Sequence, residues 1–139
     1  KQGAALTFTT ETTFWQSLRK KLVPSIYALK MNLRFAAGVP DCWLSGSKGD
    51  LWLELKYLKT LPPIVDPAKL LSELQKDWLR SRHAEGRFVG VLIGSSDGHF
   101  YFPSLSWQTS VSRGSFRMNA KNTSEIAKDL IELVGCIDV

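Results

Sequence analysis

The sequence predicts an α/β fold in which helices flank a mixed β-sheet. Three features lead to this class. Apolar residues recur at helical spacing between Phe14 and Leu22. Residues 51–56 alternate between apolar and polar side chains, as in a half-buried strand. Residues 88–93 form a short apolar run typical of a buried strand, and helical segments lie before and after it.

The bounds of the individual elements follow from caps, breakers and apolar periodicity. In the first half we expect a helix from a cap at Thr9 or Thr10 to Pro24, an extended stretch over 25–33, strands over 41–44 and 51–56, and a Gly- and Ser-rich turn over 45–50. In the second half we expect one helix over 68–85 with Leu71, Leu74 and Trp78 on one side, strands over 88–93 and 99–102, an irregular segment over 103–120, and a helix from about 122–125 to Gly135.

Length and composition indicate one globular domain. The chain has 139 residues, of which 44% are hydrophobic and 22% charged, values that exclude a disordered chain, a coiled coil or a collagen-like repeat. We therefore expect a single domain over 1–139, with a core at about 9–102 and a C-terminal extension over 103–139. Cys42 and Cys136 belong to no metal-binding or disulfide pattern, so we expect an intracellular protein.

Two stretches, 12–40 and 98–124, contain basic residues but no acid. With a net charge of +5, this distribution favours a polyanionic partner such as DNA. A solvated basic face is the alternative for any one of these side chains. The candidate phosphate contacts are Arg19, Lys20, Lys21, Lys30 and Arg34 in the first stretch, and Arg113, Arg117 and Lys121 in the second.

The hairpin formed by 41–44 and 51–56 carries the most informative pattern. If its turn is centred between Ser47 and Lys48, paired positions sum to 95, and Asp41 lies opposite Glu54. Directly opposed side chains share one face of a sheet, and alternation adds Lys56 to that face. A slip of one residue would separate these groups, so the prediction depends on the register.

Two adjacent carboxylates repel each other unless they share a proton or a cation. Carboxylate oxygens suit Mg²⁺ or Mn²⁺ rather than zinc, and a neighbouring lysine can orient a water for attack on phosphorus. The pattern therefore predicts a metal-dependent site for phosphate chemistry. The alternative is a surface strand that carries a local cluster of Lys, Glu and Asp.

The same residues resemble the motifs of the PD-(D/E)xK nuclease superfamily, in particular its VRR-Nuc (virus-type replication-repair nuclease) branch. That branch shows Gly-x-Pro-Asp, Glu-x-Lys, a helix with Leu-Ser-x-x-Gln-x-x-Trp-Leu, and a Gly before an apolar strand. The corresponding segments here are 38–41, 54–56, 71–79 and Gly86 before 88–93, so the resemblance covers about 11–93. It implies a restriction-endonuclease-like αβββαβ core with a mixed sheet flanked by helices and a C-terminal helix.

The resemblance also implies roles for individual residues. Asp41, Glu54 and the carbonyl of Leu55 would bind the metal, and Lys56 would position the attacking water. Glu11 would bind the metal or one of its waters, or else only complement a helix N-terminus. Gln75 would help to order the site, or else be solvated on its helix. We expect Trp78 in the core rather than as a stacking platform.

These roles imply a Mg²⁺-dependent endodeoxyribonuclease, in which Mn²⁺ substitutes, with DNA as partner. The resemblance is closest to stand-alone Holliday junction resolvases, which cut branched DNA as homodimers in recombination and repair, so we expect a homodimer that acts in the cytoplasm of a bacterium or of a phage-infected host. Other branched-DNA, flap or restriction-type nucleases are alternatives. A DNA-binding module that keeps the fold without chemistry, and an RNA-cleaving relative, also stay open.

Overall fold

The computed structural model describes residues 10–31 and 38–137. Its helices are α1 (Glu11–Leu22), α2 (Pro67–Leu70), α3 (Glu73–Ala84), α4 (Arg113–Asn119) and α5 (Thr123–Val134). Its strands are β1 (Tyr27–Lys30), β2 (Cys42–Gly46), β3 (Gly49–Leu58), β4 (Ile64–Val65), β5 (Phe88–Ser95), β6 (Phe100–Pro103) and β7 (Val111–Ser112). The predicted first helix is confirmed, with Thr10 as its cap.

The central sheet has five strands in the order β1-β2-β3-β5-β6. Strands β3 and β5 are parallel, whereas the other neighbours are antiparallel, so the predicted mixed sheet is confirmed. The parallel step is a crossover that carries α3, as a parallel connection requires. The elements α1, β1, β2, β3, α3 and β5 reproduce the predicted αβββαβ order, and α5 is the predicted C-terminal helix.

Strand alternation divides the core into two layers. On one face, Leu53 and Leu55 pack with the buried sides of α1 and α5. On the other face, Val91 and Ile93 pack with Leu79 of α3 and with residues from the C-terminal third. Because β3 places Glu54 on the face opposite Leu53 and Leu55, that carboxylate lies on the α3 side of the sheet.

The hairpin register is confirmed, but the turn is shorter than predicted. Cys42 pairs with Leu53 and Leu44 with Leu51, so paired positions sum to 95. The strands continue inward to Gly46 and Gly49, and the turn expected over 45–50 consists of two residues. The pairing energy of extra ladder bonds outweighs the turn propensity of the Gly- and Ser-rich segment.

The single helix predicted over 68–85 is wrong. The segment forms α2 and α3, with a break at Leu71 and a new cap at Ser72, whose side chain accepts from the backbone N–H of Gln75. Leu74, which we expected on the apolar side, is 57% exposed. Helical periodicity continued across the break, but a Ser with Gln three residues later forms a capping box and begins a helix of its own.

The segment 103–120, expected to be irregular, is ordered. It contains a short 3₁₀ turn, β7 and α4, and β7 pairs with β4 in a second, two-stranded sheet. Trp107 and Phe116 from this segment are buried beside Val89 and Phe102. None of the helices in the described part of the chain has the length and apolar character needed to traverse a bilayer.

Candidate active site

The hairpin and the end of β1 fix the position of Asp41. Its backbone oxygen accepts from the N–H of Met31 at 2.6 Å, and its side-chain Oδ1 accepts from the N–H of Leu55 at 2.9 Å. Asp41 directly precedes the pair Cys42–Leu53, so it lies opposite Glu54. The backbone of Asp41 is therefore held from one side and its carboxylate from the other.

A glycine brings the segment before Asp41 against α3. Gly38 has φ +87°, and a Cβ at this position would lie 2.5 Å from the backbone oxygen of Leu74. A side chain would therefore clash with the first turn of α3 as well as strain the backbone. This contact accounts for the Gly in the Gly-Val-Pro-Asp motif, because it sets the Asp41 segment beside the turn that carries Gln75.

Glu54 is the central side chain of the site and is 3% exposed. Its Oε2 accepts from Nε2 of Gln75 at 3.0 Å and lies 3.4 Å from Nζ of Lys56. The other end of the Gln75 amide, Oε1, accepts from the backbone N–H of Ser72 at 2.9 Å. The capping box of α3 thus orients the amide that donates to Glu54.

Burial and like charge act together on the two acids. Burial is the largest effect and raises the pKa of both Asp41 and Glu54 above the usual range. A neighbouring carboxylate raises the pKa of each acid further. In the opposite direction, the N–H of Leu55 lowers the pKa of Asp41, and the ammonium of Lys56 lowers the pKa of Glu54. The site therefore attracts additional positive charge.

The donor set fits a magnesium-type ion better than zinc. No group of three or more His, Cys, Asp or Glu side chains within 10–31 and 38–137 is arranged to hold a metal ion. Mg²⁺ needs no such protein cage, because it commonly uses one or two carboxylates and retains several waters. The facing carboxylates of Asp41 and Glu54 match this requirement, with Leu55 adjoining them.

Glu11 approaches from the other side of the sheet. Its carboxylate pairs with Nζ of Lys30 at 3.6 Å, and its negative charge raises the pKa of Asp41 and Glu54. The helix and β1 therefore bring this acid and base to the edge of the acidic pair. Direct metal binding by Glu11 stays a prediction.

The predicted phosphate contacts separate into several groups. Lys20 and Lys21 are exposed, and Arg34 lies outside the described residues. Two of the others donate to backbone carbonyls, Arg19 to Ala28 at 3.0 Å and Arg113 to Leu61 at 3.3 Å. Two more form ion pairs, Arg117 with Asp97 at 3.0 Å and Lys121 with Asp129 at 2.5 Å. Their contact with DNA stays a prediction.

Two features near the acids were not predicted from the sequence. The first is the capping box that Ser72 forms with Gln75, although the Ser-x-x-Gln spacing indicates it. The second is the contact between two half-buried indoles, those of Trp52 and Trp78. Trp52 shares the face of Glu54 by simple alternation, which the strand pattern already contained.

Comparisons with known proteins bear on the fold. The predicted α/β class, a mixed sheet flanked by helices with a C-terminal helix, is confirmed. The structure is similar to that of Hjc, a Holliday junction resolvase from the archaeal hyperthermophile Archaeoglobus fulgidus. The TM-score is 0.56 at 18% identity, over 85% of this chain and 95% of that chain. No protein-family profile and no curated protein matches the sequence, and the VRR-Nuc branch stays a prediction.

Proposed function

We propose that the protein is a metal-dependent DNA endonuclease that cleaves four-way junctions. The observation that supports this most is the convergence of Asp41, Glu54 and Lys56 on one face of one strand pair. The archaeal protein with the same fold is described as a Holliday junction resolvase, which favours branched DNA over other polyanions.

The chemistry of the proposed site divides among four side chains. Asp41 and Glu54 would hold a divalent cation, which would stabilise charge on the phosphate and lower the pKa of a bound water. The ammonium of Lys56, 3.4 Å from Glu54, would orient the attacking water and offset negative charge on the attacked phosphate. Gln75 would keep the carboxylate of Glu54 in its binding orientation.

A homodimer is part of the proposal. Resolving a four-way junction requires cuts in two strands related by symmetry, and a two-fold dimer supplies two sites in that relation. Size-exclusion chromatography with light scattering would give the stoichiometry of the free protein and of its junction complex. Two protomers per junction are expected, and one protomer per junction would contradict this part of the proposal.

The test is cleavage of a labelled four-way junction and of a linear duplex of the same sequence, with Mg²⁺ or with a chelator. We expect symmetric nicks in the junction with Mg²⁺ only. Asp41→Ala should still bind the junction but not cut it. The matched control is Asp77→Ala, which removes an exposed acid from α3 and should cut normally.

Other outcomes lead to the alternatives. Equal cutting of linear duplex would replace junction selectivity with a general or restriction-type activity, and preferential cutting of flaps would indicate another branched substrate. Cutting of RNA in place of DNA would indicate a ribonuclease. Metal-independent binding without any cutting would indicate a DNA-binding module that retains the fold.

A further inference from the structure

A cleft of about 690 Å³ lies beside the proposed active site, toward the turn of the hairpin. Trp52 of β3, Trp78 of α3 and Phe88 at the start of β5 line it. Its rim includes Lys48 and Arg87. Both the volume and the aromatic lining are typical of a site for a small planar group.

The aromatic rings present surface to the cleft instead of closing it. The rings of Trp52 and Trp78 meet edge to face with centroids 5.6 Å apart, and the guanidinium carbon of Arg82 lies 5.4 Å from the Trp78 ring centre. Phe88 is 46% exposed although it begins a buried strand. Exposed aromatic rings in a concave, basic setting favour a ligand that has a flat face.

The charges around the cleft favour an anion. Three basic side chains, Lys48, Arg82 and Arg87, and one acid, Asp50, line it. Asp50 accepts from the indole N–H of Trp43 at 3.2 Å and from a serine hydroxyl, so its charge is partly compensated. Arg82 pairs with Glu85 at 2.9 Å, whereas Arg87 forms no ion pair with any residue that the structure describes.

Two elements, β3 and α3, contribute side chains both to the cleft and to the acidic pair. Trp52 and Glu54 lie on the same face of β3, about 7 Å apart along the strand. Trp78 and Gln75 are neighbours one turn apart on α3. Each element therefore contributes one side chain to the acids and the next to the cleft, so a strand that passes the acids also passes the cleft.

We propose that this cleft binds an unpaired nucleotide of the DNA strand that passes the acidic pair. The base stacks on the indole of Trp78 and packs against that of Trp52, and its phosphate meets Arg82 and Arg87. A paired base inside a duplex has both faces covered by its neighbours, so the cleft selects DNA that is single-stranded or opened at a branch. The inference deepens the proposed function by specifying the substrate next to the cut.

The first test measures binding of a labelled single-stranded oligonucleotide and of a blunt duplex by fluorescence anisotropy, in chelator so that nothing is cut. Trp78→Leu should weaken single-strand binding at least about fivefold, because base–aromatic stacking is worth that much or more. Duplex binding should change less than twofold. Equal loss for both DNAs, or no loss, would overturn the proposal.

Arg80→Gln is a matched control for Arg82→Gln. Both arginines are on α3, and each lies over an indole at a similar distance, Arg80 at 5.3 Å over the buried Trp107. Removing Arg82 should weaken single-strand binding, whereas removing Arg80 should leave it within twofold. An equal effect of the two variants would indicate general electrostatic attraction and contradict a specific cleft.

A second test changes the DNA rather than the protein, so it remains valid if an indole variant fails to fold. Single nucleotides of the oligonucleotide are replaced in turn by an abasic analogue. At one position the analogue should weaken single-strand binding as much as Trp78→Leu does, and combining the two changes should weaken it no further. Additive losses would contradict stacking. If Trp78 contributes to single-strand binding but no DNA is cleaved in Mg²⁺, only the proposed function is contradicted. If the junction is cleaved but single-strand binding does not depend on Trp78, only this inference is overturned.

Discussion

Glu54 and His99 are buried to the same degree, each 3% exposed, yet their surroundings differ in kind. His99 is held between neutral partners: its Nδ1 accepts from the N–H of Ser95 at 3.4 Å, and its Nε2 lies 2.9 Å from the hydroxyl of Thr123. Because Nδ1 accepts, Nε2 carries the hydrogen and donates to Thr123. Burial lowers the pKa of His99 to about 4, so the ring is neutral where the protein is expected to work.

Glu54 is surrounded by charges. It faces the carboxylate of Asp41 and has one ammonium, that of Lys56, and one amide, that of Gln75, as partners. A buried neutral group with matched partners stabilises a fold, whereas a buried anion beside another anion lowers its stability. From this difference we propose that the acidic pair serves to bind a cation, and that His99 serves to stabilise the fold.

Glu54→Gln should separate these two roles most sharply. The substitution keeps the shape of the side chain and removes one of two facing charges. Junction cleavage should fall at least about a hundredfold, since changes even in the groups that support a metal ligand cost ten- to a hundredfold. The free energy of unfolding without metal at pH 8 should rise by about 1–3 kcal/mol.

His99→Gln is the control for that variant. It retains a donor for Thr123 and lies outside the proposed site, so cleavage should remain within about threefold while stability decreases. Loss of stability in Glu54→Gln, or loss of cleavage in His99→Gln at a temperature where the protein is folded, would contradict the assignment of roles.

His99 and Glu54 should make stability depend on pH with opposite signs. Burial raises the pKa of Glu54, so its effect lowers the free energy of unfolding as the pH rises. The pKa of His99 is lower in the folded state than in the unfolded state, so its contribution is present above the unfolded value of about 6.5 and is lost as the pH falls toward 4. This loss amounts to about 3 kcal/mol. Urea unfolding of the wild type and of His99→Gln between pH 4 and 8 measures it as the difference between the two profiles. Parallel profiles would show that His99 is not the group that titrates.

Gln75→Glu should have an intermediate effect. A glutamate at this position still accepts from the N–H of Ser72, so the capping box is preserved, but it cannot donate to Glu54 and adds a third carboxylate. Cleavage should fall about tenfold, the lower range for a group that orients a metal ligand, with helix stability retained. Circular dichroism and the junction assay measure the two properties.

Ser72→Ala is the complementary variant. It removes the hydroxyl that accepts from the N–H of Gln75 and should cost about 1 kcal/mol of stability, while the Gln75 donor to Glu54 remains. We expect lower thermal stability with nearly normal cleavage. If both variants reduced stability and cleavage in the same proportion, the amide of Gln75 would have only a structural role.

The facing acids were predictable because a hairpin register is a strong constraint. Once Cys42 pairs with Leu53, the period of two leaves Asp41 and Glu54 no other relation. The same alternation also predicts a buried leucine face on β3. The contacts of Glu11 and of the basic residues were less accessible, because they join side chains to other elements and follow from no strand register.

Apolar periodicity reveals neither the break at Leu71 nor the order of 103–120. Periodicity continues through the break, and only the competition between a new cap and continued helix decides it. The Ser-rich segment is ordered by tertiary packing rather than by local propensity. Its Trp107 and Phe116 are buried against β5 and β6. Trp78, expected in the core, is half-buried because α3 covers only part of the sheet.

Divalent cations should produce a small but direct change in the stability of the protein. For the wild type at pH 8, Mg²⁺ at about ten times its dissociation constant should stabilise the fold by about 1.4 kcal/mol. For a chain of this size, that raises the melting temperature by about 3–6 °C. Glu54→Gln should show little of this shift because its pair of charges is already reduced, whereas His99→Gln should show all of it. If the wild-type melting temperature is the same in Mg²⁺ and in chelator, the acidic pair does not bind the cation. The proposed reason for two carboxylates to share one face of the sheet would then be wrong.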